Sequence, residues 1–165
     1  MALRPRLAAL VCSAFFGIPA GLAQQAPPVH SFFDGDRVHT IRLTFTEPNW
    51  YERLRLNFEG KADPDFAEAA FEWGDLRYEK IGVRFKGNSS YRTYPGPKKS
   101  FKLNFDKYVK DQEIDGLDEI NLNNAFKDPS FVRERAYAEV AVTAGLAAPR
   151  VSYAALYINN AYWGL

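Results

Sequence analysis

The 165-residue sequence contains only one cysteine and two histidines, so the usual ligands of a protein zinc site are scarce. A single cysteine cannot form an intramolecular disulfide, which excludes a disulfide-stapled scaffold. The 21 basic and 20 acidic residues leave a formal charge of +1, whereas nucleic-acid-binding proteins usually carry a clear basic excess. We therefore expect neither a zinc centre nor a nucleic-acid partner.

The composition is otherwise typical of a folded globular protein. Hydrophobic residues make up 47% and charged residues 25% of the chain. This composition excludes a chain that is disordered over its whole length, and it excludes collagen-like repeats. Aromatic residues reach 15%, so a substantial core can form. The length is that of one domain, with or without an extension.

Residues 1–23 have the pattern of a secretory signal peptide. Arg4 and Arg6 supply a positive start, and residues 7–16 form an apolar run of the length expected of a signal-peptide core. Small residues precede a cleavage position after Ala23. We expect a secreted, periplasmic or cell-surface protein.

A retained membrane anchor is the alternative interpretation of this segment. A spanning helix needs about 20 apolar residues, and the run at residues 7–16 is shorter and is followed by Gly17 and Pro19. Cleavage would remove two arginines and Cys12, which leaves 19 basic against 20 acidic residues and no cysteine. We expect no stable membrane span after cleavage, a linker at residues 24–37 and one domain at residues 38–165.

Alternation of apolar and polar residues predicts a mostly antiparallel sheet. The predicted strands lie at residues 38–46, 66–73, 76–85, 101–105, 120–123 and 151–158. Gly74-Asp75 is expected to form the turn of a hairpin that connects the second predicted strand to the third. Asn159-Asn160 suits another tight turn because asparagine tolerates a positive φ. A helical turn with Trp50, Leu54 and Phe58 on one side follows the first strand.

One main helix is predicted between residues 128 and 144. Asp128 is expected to be its N-cap, Pro129 its first residue and Gly145 its C-terminal cap residue. The expected apolar stripe consists of Val132, Ala136, Tyr137, Val140, Ala141 and Ala144. Together with the strands, this helix predicts an α+β fold class.

The sequence stops at Tyr162-Trp163-Gly164-Leu165, in the middle of a predicted strand. Unpaired strand edges invite aggregation, so the expectation is a truncated domain. A C-terminal edge strand that ends the domain is the alternative.

Residues 83–105 read VRFKGNSSYRTYPGPKKSFKLNF and place a Gly-, Ser-, Asn- and Pro-rich loop between two strands. Backbone N–H groups in such a loop can cradle an anion, and neighbouring lysines can neutralise phosphate. The spacing is not that of a Walker loop. A solvated hairpin loop with exposed lysines is the alternative, since loop lysines are normally exposed.

Glu134 in the predicted helix is a candidate partner for a strand lysine. It lies near the edge of the apolar stripe, where it could face the sheet. Protein kinases hold nucleotide phosphates with a strand lysine paired to a helix glutamate. The alternative is a surface carboxylate paired with Arg133, Arg135 or solvent. A nearby cluster of Asn121, Asn123 and Asn124 could link loops or cap the helix.

Five segments in this order resemble the CotH kinase family of spore-coat-protein-H-like proteins. They read VRFKGNSS, KKSFKLNFDKY, INLNN-x3-DPSFVRE, AGLAAPR and YINNAYWGL. The resemblance covers roughly residues 38–165. It implies the amino-terminal portion of an atypical, kinase-like fold, similar to a kinase N-lobe, that phosphorylates protein side chains with ATP and Mg or Mn.

The resemblance also implies site residues. The nucleotide-phosphate lysine would be Lys98, Lys99 or Lys102, with Glu134 as its helix partner. Strand alternation places Lys102 on the face opposite Phe101 and Leu103. The residues expected to cover the phosphates are Arg84, Lys86, Gly87, Asn88, Ser89 and Ser90. Catalytic and metal-binding aspartates belong to a later, larger lobe in the family, so we expect no catalytic and no metal-ligating residue in this chain.

Two functions remain open from the sequence. One is the nucleotide-binding part of a secreted kinase that acts on a protein substrate and is inactive as a fragment. The other is a non-catalytic surface or coat module of the same fold that binds an assembly partner, because a fold does not fix a function.

Overall fold

The computed structural model describes residues 31–60 and 65–164, which form an α+β fold. The predicted signal peptide and residues 24–30 of the predicted linker lie outside the described residues. In chain order the elements are β1 (Val38–Thr44), α1 (Trp50–Gly60), β2 (Ala67–Trp73), β3 (Leu76–Lys86), α2 (Ser89–Arg92), β4 (Ser100–Asn104), β5 (Glu119–Leu122), α3 (Arg133–Thr143), β6 (Tyr153–Ile158) and β7 (Ala161–Gly164).

All of these strands belong to one sheet in the order β5-β4-β3-β2-β1-β6-β7. Strands β2 to β5 follow one another as antiparallel neighbours. Strand β1 is antiparallel to β2 and parallel to β6, and a parallel pair needs a long crossover, which here contains α3. The mostly antiparallel sheet is confirmed, and the β1–β6 pairing is a feature that the strand patterns did not reveal.

The two predicted tight turns are confirmed. Gly74 adopts a φ of 57° between β2 and β3, and Trp73 pairs with Leu76 across that turn. Asn159 and Asn160 adopt φ values of 48° and 66° between β6 and β7. Positive φ at both central residues, as at Asn159-Asn160, is the requirement of a type I′ turn, whereas a glycine with positive φ at the first central residue, as at Gly74, suits a type II′ turn.

Strands β3 and β4 have one apolar and one polar face. Phe85 and Leu103 are at most 1% exposed and belong to the hydrophobic core, whereas Arg84 and Lys102 are half-buried. The antiparallel register places Arg84 directly opposite Lys102, so both side chains lie on the polar face, as does Lys86 two residues further along β3. The predicted orientation of Lys102 away from the aromatic face is confirmed.

Helix α1 covers the apolar face of the sheet. Leu54 is 1% exposed, Trp50 stacks on Phe45 at 4.9 Å between ring centroids, and Phe58 contacts Tyr91 at 4.1 Å. The helical spacing of residues 50, 54 and 58 is therefore confirmed. Because α1 has 11 residues, the same as α3, the described fold has two principal helices where one was predicted.

The predicted start of α3 is wrong. The helix begins at Arg133 with Val132 as N-cap, because Phe131 adopts a φ of 61° and interrupts the helical path. Asp128 still serves the helix: its carboxylate accepts a hydrogen bond from the Arg133 backbone N–H at 2.9 Å. The Asp-Pro pair therefore marks a turn that leads into the helix, and Pro129 lies outside it.

The predicted end of α3 is confirmed. Gly145 adopts a φ of 73°, and its N–H donates to the Val142 carbonyl at 2.9 Å. The Leu146 N–H donates to the Ala141 carbonyl at 2.9 Å. This pair of hydrogen bonds is the Schellman motif, in which glycine adopts the left-handed conformation without a Cβ penalty.

The predicted apolar stripe of α3 is largely wrong. Tyr137 and Val140 are 67% and 68% exposed, whereas the buried residues of the helix are Ala138 and Ala141. Small alanine side chains let the helix approach the body of the protein but bury little apolar surface. Polar contacts therefore carry much of the attachment of α3, including a hydrogen bond from Arg135 to the Gly35 carbonyl.

Within residues 31–60 and 65–164, no helix has the length and apolar character needed to cross a membrane.

Candidate functional site

The polar face of β3 and β4 carries three cations, Arg84, Lys86 and Lys102, which we call the cationic face. Arg84 and Lys102 form a cross-strand pair, and β5 flanks Lys102 on the other side. The Lys102 ammonium lies 2.5 Å from a carboxylate oxygen of Glu119. Lys102 therefore pairs with a strand carboxylate, and its predicted partner Glu134 is engaged elsewhere.

Glu119 is held in its charged form by its neighbours. Partial burial alone would raise the pKa of Glu119, but hydrogen bonds from Lys102 and Asn104 outweigh that effect and leave the pKa below its ordinary value. The Asn104 amide donates to the second carboxylate oxygen at 2.9 Å. Glu119 is thus an ionised counter-charge fixed beside Lys102.

Arg84 is oriented by an aromatic ring. Its guanidinium lies 4.9 Å from the centroid of the Phe66 ring, and the Lys107 ammonium lies 5.2 Å from the same ring. A side chain at position 82 would collide with Phe66 and Lys107, so Gly82 makes room for this packing. These contacts place Arg84 at the end of the cationic face nearest to Phe66.

Lys86 reaches α3 through one intermediate side chain. Its ammonium donates to Asn123 Oδ1 at 3.0 Å, and Asn123 Nδ2 donates to Glu134 Oε1 at 2.7 Å. Burial lowers the pKa of Lys86, the charge of Glu134 opposes that shift, and the charge of Lys102 adds to it. The strand lysine that communicates with Glu134 is therefore Lys86, and the contact is indirect.

The predicted phosphate-covering loop begins directly after Lys86. Gly87 adopts a φ of 87°, and a Cβ at this position would collide with the Ser90 hydroxyl. Ser89 and Ser90 form the first residues of the short helix α2, where a loop was predicted. The Asn88 side chain accepts a hydrogen bond from Arg92 Nε at 2.9 Å, which ties the loop to this helical turn.

Lys99 fastens the loop between α2 and β4. Its ammonium donates to the carbonyl oxygens of Tyr91 and Tyr94 at 2.8 and 2.5 Å. It also lies 4.8 Å from the centroid of the Tyr91 ring. Because these contacts direct the ammonium to backbone carbonyls, the geometry favours the other lysines for contact with an anion.

A cleft of about 960 Å³ lies where strands near the two ends of the sheet approach each other. Its lining includes β5, α3, and parts of β6 and β7. Among the sequence-predicted residues, Ser90, Lys98, Lys99 and Glu134 line this cleft. Glu119 and Asn123, the partners of Lys102 and Lys86, line it as well, so the cationic face borders the cleft through these two side chains.

Lys98 lines the cleft and is half-buried. Burial lowers the pKa of Lys98. Its ammonium is 5.6 Å from the centroid of the Phe131 ring, and its side chain packs against Gly164 of β7. Lys98 thus connects the start of β4 to the segment before α3 and to the last described strand.

The structure brings together residues that the sequence did not single out. Glu119 was absent from the predicted site, and Asn123 was placed only in a general polar cluster. The signal that could have found both is the period of two in β5, which puts residues 119, 121 and 123 on the same face as Lys102. Within the described ranges, no cluster of three or more His, Cys, Asp and Glu side chains is arranged to hold a metal ion.

The family model described as CotH kinase protein matches residues 83–165, about half of the sequence, from the middle of β3 onward. No curated protein matches the chain. The matched region contains Arg84, Lys86, Lys102, Glu119, Asn123 and Glu134. The chain belongs to the CotH kinase family.

Proposed function

We propose that this chain forms the nucleotide-binding, N-lobe-like part of a kinase that transfers phosphate from ATP to protein side chains. The observation that carries the proposal is the cationic face beside a cleft: three cations, Arg84, Lys86 and Lys102, project from the two adjacent strands that flank the Gly87 loop. Kinase catalysis relies on positioning and electrostatic stabilisation of phosphate, which such a surface supplies.

The size and charge of the site fit ATP. A cleft of about 960 Å³ is at the upper end of the range of roughly 300–1,000 Å³ usual for ligand sites. Its aromatic and aliphatic lining, including Phe126, Phe131 and Trp163, suits an adenine ring, and the cationic face suits phosphates. Lys86 and Lys102 would contact phosphate oxygens, and backbone N–H groups after Gly87 would complete the contact.

Among the described residues, no three His, Cys, Asp or Glu side chains come together in a way that could hold a metal ion. Mg²⁺ is usually held by one or two carboxylates together with substrate phosphates. In this proposal, metal coordination and removal of the hydroxyl proton belong to a further lobe of the kinase domain, and the chain alone binds the nucleotide without phosphorylating a substrate. Export from the cytoplasm is part of the same proposal and rests on residues 1–23.

ATP titration of the chain, with and without Mg²⁺ or Mn²⁺, tests the proposal. We expect saturable binding in a calorimeter, and we expect Lys86→Met and Lys102→Met to weaken it at least tenfold by the loss of a charge-assisted hydrogen bond. Lys80→Met is the matched control. Lys80 lies on the same strand, exposed and paired with Glu68, roughly 20 Å from Lys86 at about 3.3 Å per residue.

Two results would overturn the assignment. One is the absence of ATP binding by folded wild-type chain. The other is equal weakening by Lys80→Met and by the two site variants, since a general charge effect would then explain the binding.

A second candidate function rests on the exposed surface of α3. Val132, Tyr137, Val140, Val142 and Leu146 are each more than half exposed. Contiguous exposed apolar residues mark interaction sites, which favours a non-catalytic module that binds a protein partner. The same titration separates the two candidates, because this module needs no ATP.

A further inference from the structure

Asn123 occupies a position between two charged groups of opposite sign. Its side-chain oxygen accepts from the Lys86 ammonium at 3.0 Å, and its side-chain nitrogen donates to the Glu134 carboxylate at 2.7 Å. Lys86 belongs to β3 and Glu134 to the first turn of α3. One amide therefore connects the cationic face to the helix.

An amide is suited to this position by its chemistry. An ammonium has only donors and an ionised carboxylate has only acceptors, so a mediator must accept at one end and donate at the other. The amide of Asn123 meets both demands in a single orientation. An aspartate here would still accept from Lys86 but would place a second carboxylate against Glu134.

The connection through Asn123 matters because α3 has few buried contacts with the rest of the protein. The helix buries only Ala138 and Ala141, so its position depends on polar contacts of its first turn, including that of Arg135 with the Gly35 carbonyl. Asp128 and Asn123 provide contacts at the amino-terminal end, to the Arg133 N–H and to Glu134 respectively. Of these two, Asn123 is the one that also touches a residue of the cationic face.

We propose that Asn123 is a positioning residue that aims Lys86 at the bound nucleotide and couples that lysine to α3 through Glu134. The proposal rests on the proposed function for its ligand, but the coupling itself exists without a nucleotide. Lys86 has three donors and gives one to Asn123, so its ammonium can bind phosphate while the amide keeps it in place. A change in the position of α3 would then change the affinity for ATP, and ATP binding would in turn change the position of α3.

A reversal of the hydrogen-bond polarity tests the coupling. Asn123→Asp alone sets two carboxylates against each other, whereas the double variant with Glu134→Gln lets the new amide donate to the new carboxylate. We expect the ATP dissociation constant to rise about threefold in Asn123→Asp and in Asn123→Ala, as for exposed polar pairs, and to return to within twofold in the swapped double variant. Asn57→Asp, which makes the same change on α1 at the opposite face of the sheet, is the matched control and should leave the constant within twofold.

A second readout does not need ATP. In NMR spectra of lysine-labelled chain, Asn123→Asp should raise the pKa of Lys86, because a carboxylate replaces the amide oxygen that it donates to; Glu134 and Lys102 are the other charges that act on it. Asn123→Ala should reduce the response of the Lys86 resonance to Glu134→Gln to the direct effect of the Glu134 charge. A merely structural role of Asn123 would lower stability without either effect.

The outcomes distinguish the two proposals. If removal of the Asn123 amide weakens the response of Lys86 to Glu134→Gln but neither the wild type nor any variant binds ATP, the coupling stands and the nucleotide-binding function is wrong. The coupling is wrong if ATP binds but the swapped variant binds it no better than Asn123→Asp. It is also wrong if Lys86 responds to Glu134→Gln equally with and without the Asn123 amide.

Discussion

Glu119→Gln should tighten the binding of ATP. Glu119 lies 2.5 Å from the Lys102 ammonium and is held ionised, so it competes with an incoming phosphate for that cation. Glutamine keeps the shape and an acceptor oxygen but removes the negative charge. The variant therefore isolates the electrostatic cost of the native counter-charge.

The magnitude follows from Coulomb's law. A phosphate bound to the far side of the Lys102 ammonium would lie about 6 Å from the Glu119 carboxylate, where two unit charges interact by ~0.7 kcal/mol in water and ~2.8 kcal/mol at an effective dielectric constant of ~20. The two side chains are 25% and 35% exposed, which favours the lower part of this range. We expect a gain of ~1 kcal/mol, or about fivefold tighter binding.

Calorimetric titration with ATP at low and at high salt measures this gain. The gain should shrink at high ionic strength, because screening weakens partly exposed charge interactions. Glu52→Gln is the matched control: it removes one negative charge from an exposed position of α1, the helix on the opposite face of the sheet. Weaker binding by Glu119→Gln would refute the reasoning, because Glu119 would then be holding Lys102 in place for the ligand.

Four further predictions concern stability, pH and processing. Leu54→Ala should lower the free energy of unfolding by about 2–5 kcal/mol in urea titrations. Leu56 is exposed on the same helix, so Leu56→Ala should change it by less than about 0.5 kcal/mol. Equal effects of the two substitutions would contradict the packing of α1. Burial lowers the pKa of Lys86, so ATP affinity should fall as the pH rises through that lowered pKa, at a pH where an ordinary lysine is still protonated. Arginine stays protonated over this range, so Lys86→Arg should abolish this loss of affinity. In the same interval between the lowered pKa and the ordinary lysine pKa, the unfolded chain binds more protons, so stability rises with pH, which urea titrations at several pH values would check. Expression in a secreting host should yield protein that starts at Gln24, and amino-terminal sequencing that finds Met1 in the exported protein would contradict this.

The sheet and its polar face were predictable because they depend on local alternation. Phe101, Leu103 and their neighbours fix which way Lys102 points, since a shift by one residue would move every apolar side chain out of the core. The turns at Gly74 and at Asn159-Asn160 follow from residues that tolerate a positive φ. These signals need no knowledge of distant parts of the chain.

The partners within the site were not predictable in the same way. The pairing of Lys102 with Glu119 depends on β4 and β5 being neighbours, and the contact of Lys86 with Asn123 joins residues 37 positions apart. The start of α3 was misplaced because Asp-Pro favours both a helix start and a turn, and the positive φ of Phe131 decides between them. The outward face of α3 has an apolar pattern that resembles that of a buried stripe, which sequence periodicity alone cannot distinguish.

The most direct test of the account is a map of backbone and lysine side-chain NMR shifts during titration of the chain with ATP. The account predicts that the largest changes fall on residues 84–90, on Lys102 and on residues 119–123 next to the cationic face, and on Phe126, Phe131 and Trp163 in the cleft. It is contradicted if the spectra of the folded chain do not change with ATP, or if the changes concentrate on the opposite side of the sheet, around α1.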